Sequence, residues 1–228
     1  MKLRLELPQP MPAAIAQLPR HRGYPVPWFV AWLTEDGQAT RRGTGTPDFR
    51  VLYPDAITTA LGKGLCWVCG KPLHRNVAYA FVIGPMCAVN RTSSEPPSHI
   101  VCADWSARAC PFLTKPHMDR REGGLPEEGE VSGIALLRNP GIAMVWLTRN
   151  ASAFPDPISG KGLLFNVGDP VQVRFYREGR EATRDEILDS IESGLPLLKK
   201  YAEQDGPEAM AQLELQVDTA MKLLPVAA

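Results

Sequence analysis

All five cysteines of the chain, and two of its four histidines, lie between Cys66 and Phe112. Cys66-Trp67-Val68-Cys69 sets two thiols on one tight turn, and Gly70 follows where positive φ is easiest for glycine. Glu95-Pro96-Pro97-Ser98 reads as the lead-in to a helix capped by Ser98. His99 and Cys102 then stand three apart on one face of its first turn, where both side chains can reach one ion. Three thiolates and an imidazole are the soft and borderline donors that tetrahedral zinc requires. The candidate metal ligands are Cys66, Cys69, His99 and Cys102, with zinc as the cofactor. Cys87 stands as an alternative to His99, and His74 as a competing ligand. An odd number of clustered cysteines points to metal before disulfides in a reducing compartment. Cys110, about two turns beyond Cys102, reads as a small core residue.

The same residues admit other chemistry. A catalytic zinc keeps one position open for water beside a carboxylate base, a role open to Glu95, and Cys87 could act as a nucleophile with His99 as its base. The alternative function is therefore a metal- or cysteine-dependent enzyme using Cys87, Glu95 and His99. Four available protein donors favour a closed, structural site. A thioredoxin-like redox pair would precede a helix, whereas Gly70-Lys71-Pro72 follows here. Neither the His-x-Glu and Pro-Cys-x-x-Cys signature of deaminases nor the HNH nuclease pattern is present. Gly43 to Thr46 is a turn, since no Gly-Lys-Ser/Thr follows it.

The elements that must position these residues read as an α+β fold. Lys2 to Leu7 alternates leucine with charge as a half-buried strand does. Trp28 to Leu33 and Phe49 to Tyr53 are expected as antiparallel partners, followed by a short helix to about Leu61 that Gly62 and Gly64 stop. Between the ligand pairs, Val77 to Ile83 and Met86 to Val89 suit a hairpin turning at Gly84-Pro85. Beyond the metal segment, Arg120 to Glu130 is charged and glycine-rich, a boundary or loop. Val131 to Arg138 and Ile142 to Arg149 follow as strands, the second continuously apolar and hence central in a sheet. Phe154 to Gly162 reads as loop, and Leu163 to Val167 and Val171 to Arg177 as two more strands. Thr183-Arg184-Asp185-Glu186 is a capping box, Gly194 a helix break with Pro196 opening the next helix, and Asp205-Gly206-Pro207 the start of a last one. Its stripe of Met210, Leu213, Val217 and Met221 fits core packing or a homodimer through the C-terminal helices. The chain thus divides into an N-terminal α+β region over 1–119, a loop at 120–130 and a C-terminal region over 131–228, which can pack as one domain with the first.

A turn with two ligands, a hairpin, then a helix whose first turn bears two more resembles the treble-clef zinc fingers. That resemblance covers residues 66–110 and implies a knuckle pair of Cys66 and Cys69 and a helix pair of His99 and Cys102. The stretch between the pairs is longer than the usual hairpin. The whole chain is similar to uncharacterised proteins of actinobacterial and phage or prophage genomes, through Arg22-Gly23-Tyr24-Pro25-Val26-Pro27-Trp28-Phe29-Val30, Gly84-Pro85-Met86-Cys87-Ala88-Val89-Asn90 and Glu95-Pro96-Pro97-Ser98-His99. This resemblance implies a bacterial or phage setting and no particular activity.

Lysine plus arginine balances aspartate plus glutamate at 25 each, so no global field draws nucleic acid or anionic lipid. Local basic stretches remain: Arg20-His21-Arg22 and Arg41-Arg42 flank the strand bearing Trp28 and Trp32, and Arg120-Arg121 follows the metal segment. No apolar run approaches the roughly 20 residues of a membrane helix, and the N-terminus lacks the apolar core of a signal peptide. The expectation is a cytoplasmic, zinc-stabilised, non-enzymatic binding protein that presents a surface to a protein or nucleic-acid partner.

Overall fold

The computed structural model describes residues 7–74, 77–115, 141–157 and 162–225. The expected strand over Lys2 to Leu7 (but for Leu7), the loop at 120–130, the strand over Val131 to Arg138, His117 and Arg120-Arg121 lie outside these residues. In chain order the elements are α1 (Ala13–Ala16), β1 (Arg20–His21), β2 (Tyr24–Pro25), β3 (Val30–Leu33), β4 (Ala39–Thr40), β5 (Thr46–Leu52), α2 (Ala56–Lys63), β6 (Tyr79–Ile83), α3 (Pro85–Asn90), β7 (Thr92–Ser93), α4 (Ile100–Ala109), α5 (Pro111–Thr114), β8 (Ala143–Thr148), β9 (Ser152–Pro155), β10 (Leu163–Asn166), β11 (Pro170–Arg177), β12 (Arg180–Glu181), α6 (Arg184–Asp205) and α7 (Pro207–Met221). The fold is α+β, with antiparallel sheets and a helical C-terminal region, as the sequence predicts.

The central sheet runs β12-β11-β8-β6, every neighbour antiparallel. All six residues of β8 are buried, which is what its unbroken apolar run requires of a strand covered on both faces. Successive side chains alternate between the two faces. On one, Phe81, Ile83, Met144, Trp146 and Phe175 form the main core with α3, α6 and α7. On the other, Ala80, Ala143, Val145 and Leu147 pack against Ala103 and Ala107 of α4, small residues that let the helix lie close to the sheet. β6 and β8 come from either side of the expected 120–130 boundary and share this one sheet.

Several local expectations change. Met86 to Val89 belongs to a helix rather than a returning strand, because Pro85 fits the first helical position and Met86, Ala88 and Val89 are buried at helical spacing. The true partner of β6 is β8, so the expected hairpin is absent. Ser98 does not cap α4: His99 is the N-cap residue, while buried Ser98 exchanges both backbone hydrogen bonds with Ala80. β9 (Ser152–Pro155) pairs with β10 and takes Phe154 and Pro155 from the start of the expected loop. Gly194 does not end a helix; α6 continues through it and through Pro196 for 22 residues. A side chain at 194 would meet Met86, its Cβ only 2.7 Å from Sδ, so the glycine admits a close helix contact. The Thr183–Glu186 capping box forms as expected, and Leu213 is buried with Met210, Val217 and Met221 packed beside it in the main core. Among the described residues, no helix is long and apolar enough to cross a membrane.

Candidate metal centre

The segment from Leu65 to Pro72 folds back on itself. Leu65 bridges Pro72, the Cys66 amide donates to Lys71 O at 2.8 Å, and Gly70 N donates to Cys66 O at 2.8 Å. Gly70 adopts φ +69°, the left-handed conformation that releases the chain after Cys69. It answers a second demand as well: a Cβ there would lie 2.3 Å from Trp28 Cδ1. Trp28 also donates its backbone N–H to Val68 O at 2.8 Å, so the knuckle rests on the start of the N-terminal sheet. Within the knuckle, Trp67 points away from the cysteines and stacks on Phe29 at 4.6 Å.

α4 supplies the second pair. Its N-terminus is brought to the knuckle by the Ala80–Ser98 bridge and by Trp67 N donating to Pro97 O at 3.0 Å. His99 and Cys102 then face Cys66 and Cys69. The four donor atoms lie within 4.8 Å of one another, a set that could hold a metal ion. His99 Nδ1 is 3.4 Å from Cys69 Sγ and 3.8 Å from Cys102 Sγ. Metal–sulfur and metal–nitrogen bonds of zinc length at a tetrahedral angle would separate these atoms by about 3.6 Å. Three of the four residues are buried, and only His99 is partly exposed.

Hydrogen bonds around the cluster orient the donors. His99 Nε2 lies 3.0 Å from Pro72 O, and a carbonyl only accepts, so the proton sits on Nε2 and the Nδ1 lone pair faces the sulfurs. The His99 amide donates to Cys66 Sγ at 3.3 Å. The Cys66 thiol is held below its ordinary pKa, first by donation from the Cys102 thiol and then from Cys69. Cys102 is raised correspondingly, first by its bond to Cys66 and then by that to Cys69. Around them Ile15, Val68, Trp105 and Ala109 form an apolar shell, onto which Leu7, Met11, Ala14 and Leu18 of the N-terminal segment pack. Trp105 Nε1 ties that segment down by donating to Pro8 O at 2.9 Å.

The other candidates fall elsewhere. Cys87 sits in α3 against the main core and is not one of the four clustered donors; burial raises its thiol pKa, with Glu95 adding to the shift. Cys110 ends α4, where burial raises it too. His74 is exposed and outside the cluster. Sequence reasoning missed the carbonyl of Pro72 and the seat that Trp28 gives the knuckle. Glycine directly after Cys69 was the one available signal for the latter.

α4 is anchored on its far side. Asp104 pairs with Arg174 of β11 and accepts from Tyr176 Oη at 3.0 Å. No protein-family model, curated protein or solved structure matches the chain, so neither the treble-clef resemblance nor a bacterial or phage setting gains support from a relative.

Proposed function

We propose that Cys66, Cys69, His99 and Cys102 bind one zinc ion in a closed structural site, and that the protein is a non-enzymatic binding protein whose surface this site organises. The carrying observation is the convergence of four donor atoms from two separate elements at spacings suited to a tetrahedral ion. Three thiolates suit zinc better than magnesium or calcium, which prefer oxygen donors. Four protein donors fill the tetrahedron and leave no position for a water nucleophile, so the site's role is to fix the knuckle against α4. A knuckle and a ligand-bearing helix are the two parts this reading shares with a treble clef; β6, α3 and β7 lie between them where a hairpin was expected. Cys87 is poorly placed as a nucleophile, because its buried thiol resists ionisation.

The test is metal content per chain, by elemental analysis, for freshly purified reduced protein. One zinc is expected in the wild type and in Cys87→Ser, and none in Cys69→Ser. Metal-free wild type would overturn the site, and zinc lost with Cys87 would put that residue in the ligand set and reopen an enzymatic reading. Structural zinc contributes on the order of 10 kcal/mol to small metal domains, so a strong chelator should lower the melting temperature. Direct binding assays test the second half of the proposal.

A further inference from the structure

Two loops of the N-terminal region bring four arginines onto neighbouring stretches of surface. The β1–β2 hairpin turns tightly through Arg22 (φ +50°) and Gly23 (φ +89°), and Arg20 Nη1 donates across it to Gly23 O at 3.2 Å. The loop from Arg41 to Gly45 packs against the base of that hairpin, where a Cβ on Gly43 would touch Pro19 Cγ at 3.6 Å. Arg20, Arg22 and Arg41 are exposed, and none forms an ion pair with a described residue. Arg50, Arg91, Arg174, Arg177 and Arg180 each meet a carboxylate, whereas among the described residues Arg108 and Arg184 bond only backbone carbonyls and exposed Arg149 lies apart at the end of β8.

Arg42 is fixed differently. Its guanidinium lies between two rings, 4.5 Å from the Trp28 centroid and 3.9 Å from that of Tyr53, while Nε donates to Trp28 O at 2.8 Å. The stack holds the loop and keeps Arg41 beside the hairpin. It also occupies ring faces on which a base would otherwise stack. With the Trp28 and Tyr53 faces that meet Arg42 already covered, what these loops offer is chiefly exposed cationic charge, beside the half-buried Tyr24 of β2, suited to a polymer carrying regularly spaced negative charge.

We propose that Arg20, Arg22 and Arg41 bind nucleic acid through its phosphodiester backbone, without reading bases. The inference deepens the binding role proposed above and does not depend on which metal fills the centre. Trp28, against which Gly70 of the knuckle packs, links the two sites mechanically.

Fluorescence anisotropy on the full chain tests it, using labelled single-stranded DNA, duplex DNA and single-stranded RNA of mixed sequence. Three neutralised phosphates give a log–log salt slope of about −3 on duplex and about −2 on single strands. The Arg20→Ser/Arg22→Ser/Arg41→Ser variant should lose about tenfold or more in affinity at low salt and flatten that slope. Lys199→Ser/Lys200→Ser/Lys222→Ser removes the same charge from exposed C-terminal positions and should bind as wild type. Unchanged circular dichroism and metal content confirm that the variants fold. No binding to any of the three polymers at low salt would overturn the proposal, as would equal losses in both triple variants. Equal binding of polyglutamate would overturn it too, making this a general polyanion surface. Zinc-loaded protein that binds no polymer sinks this inference alone; metal-free protein that binds sinks the metal centre alone.

Discussion

His99 donates from Nε2 to the carbonyl oxygen of Pro72 across 3.0 Å, and through that bond the knuckle fixes the orientation of a candidate ligand carried by α4. Loss of such an orienting partner typically costs 10- to 100-fold in metal affinity, as an order of magnitude. His99→Cys leaves four donors of the kind tetrahedral zinc accepts and should keep the metal without the Pro72 bond. His99→Ala removes one of the four donors and should release the metal to a competing chelator at least about 10 to 100 times more readily. Competition with a chromogenic chelator reads both, and equal retention by wild type and His99→Ala would remove His99 from the ligand set. Affinity in every case should fall as the pH is lowered, since the donors must shed protons to bind.

Gly70→Ala should destabilise the protein by roughly 3 kcal/mol, combining the left-handed backbone with overpacking against Trp28. The indole ring is rigid, so relief requires moving the start of the N-terminal sheet. Urea unfolding followed by tryptophan fluorescence gives the cost, and a cost below about 1 kcal/mol would mean that the knuckle and Trp28 are not in contact.

Asp104 holds α4 to the central sheet through Arg174 and Tyr176. Asp104→Ala leaves a guanidinium and a buried phenol without their shared acceptor, at an expected cost of about 2 kcal/mol. Arg174→Ala on top should cost little more, because the partner is already gone. Additive losses in denaturant unfolding would show that the two residues act independently.

Glu186 has its carboxyl pKa lowered to about 2, first by hydrogen bonding to Arg180, which outweighs the opposing effect of burial, and further by the Thr183 amide. The unfolded chain binds a proton at about 4.3, so the stabilisation is complete above that pH and is lost as the pH falls toward 2. Glu186→Gln should lower stability by about 1 kcal/mol near neutral pH, an exposed pair and cap being worth no more. The difference from wild type should shrink through pH 4 to 2 and narrow at high salt. Thermal melts across that range check it; a gap that widened on acidification would contradict the sign.

Gly194→Leu should destabilise α6 packing by more than about 2 kcal/mol, because its side chain enters space held by Met86. Gly194→Ala gains up to about 1 kcal/mol of helix propensity against a contact that flexible methionine can relieve, and should fall near neutral. Combining Gly194→Leu with Met86→Ala should recover part of the loss.

The amino-acid sequence alone brought out the two donor pairs, because paired spacing on a turn and on a helical first turn is a local property, while the choice of His99 over Cys87 and His74 needed the folded chain. Cys66 with Cys69, and His99 with Cys102, were legible for that reason, as were the buried strand at Ala143–Thr148 and the Thr183 cap. Tertiary structure decided the rest. Met86 to Val89 has no alternation to fix a period, and its helix is set by Pro85 and by the core beneath it. β6 could not announce β8 as its partner, since pairing 60 or so residues away is chosen by competition among apolar strands. Gly194 carries the helix-breaking signal of any glycine, yet close packing on Met86 outweighs propensity there. The acceptor for His99 is a backbone carbonyl, which every residue possesses, so only the folded chain could single out Pro72.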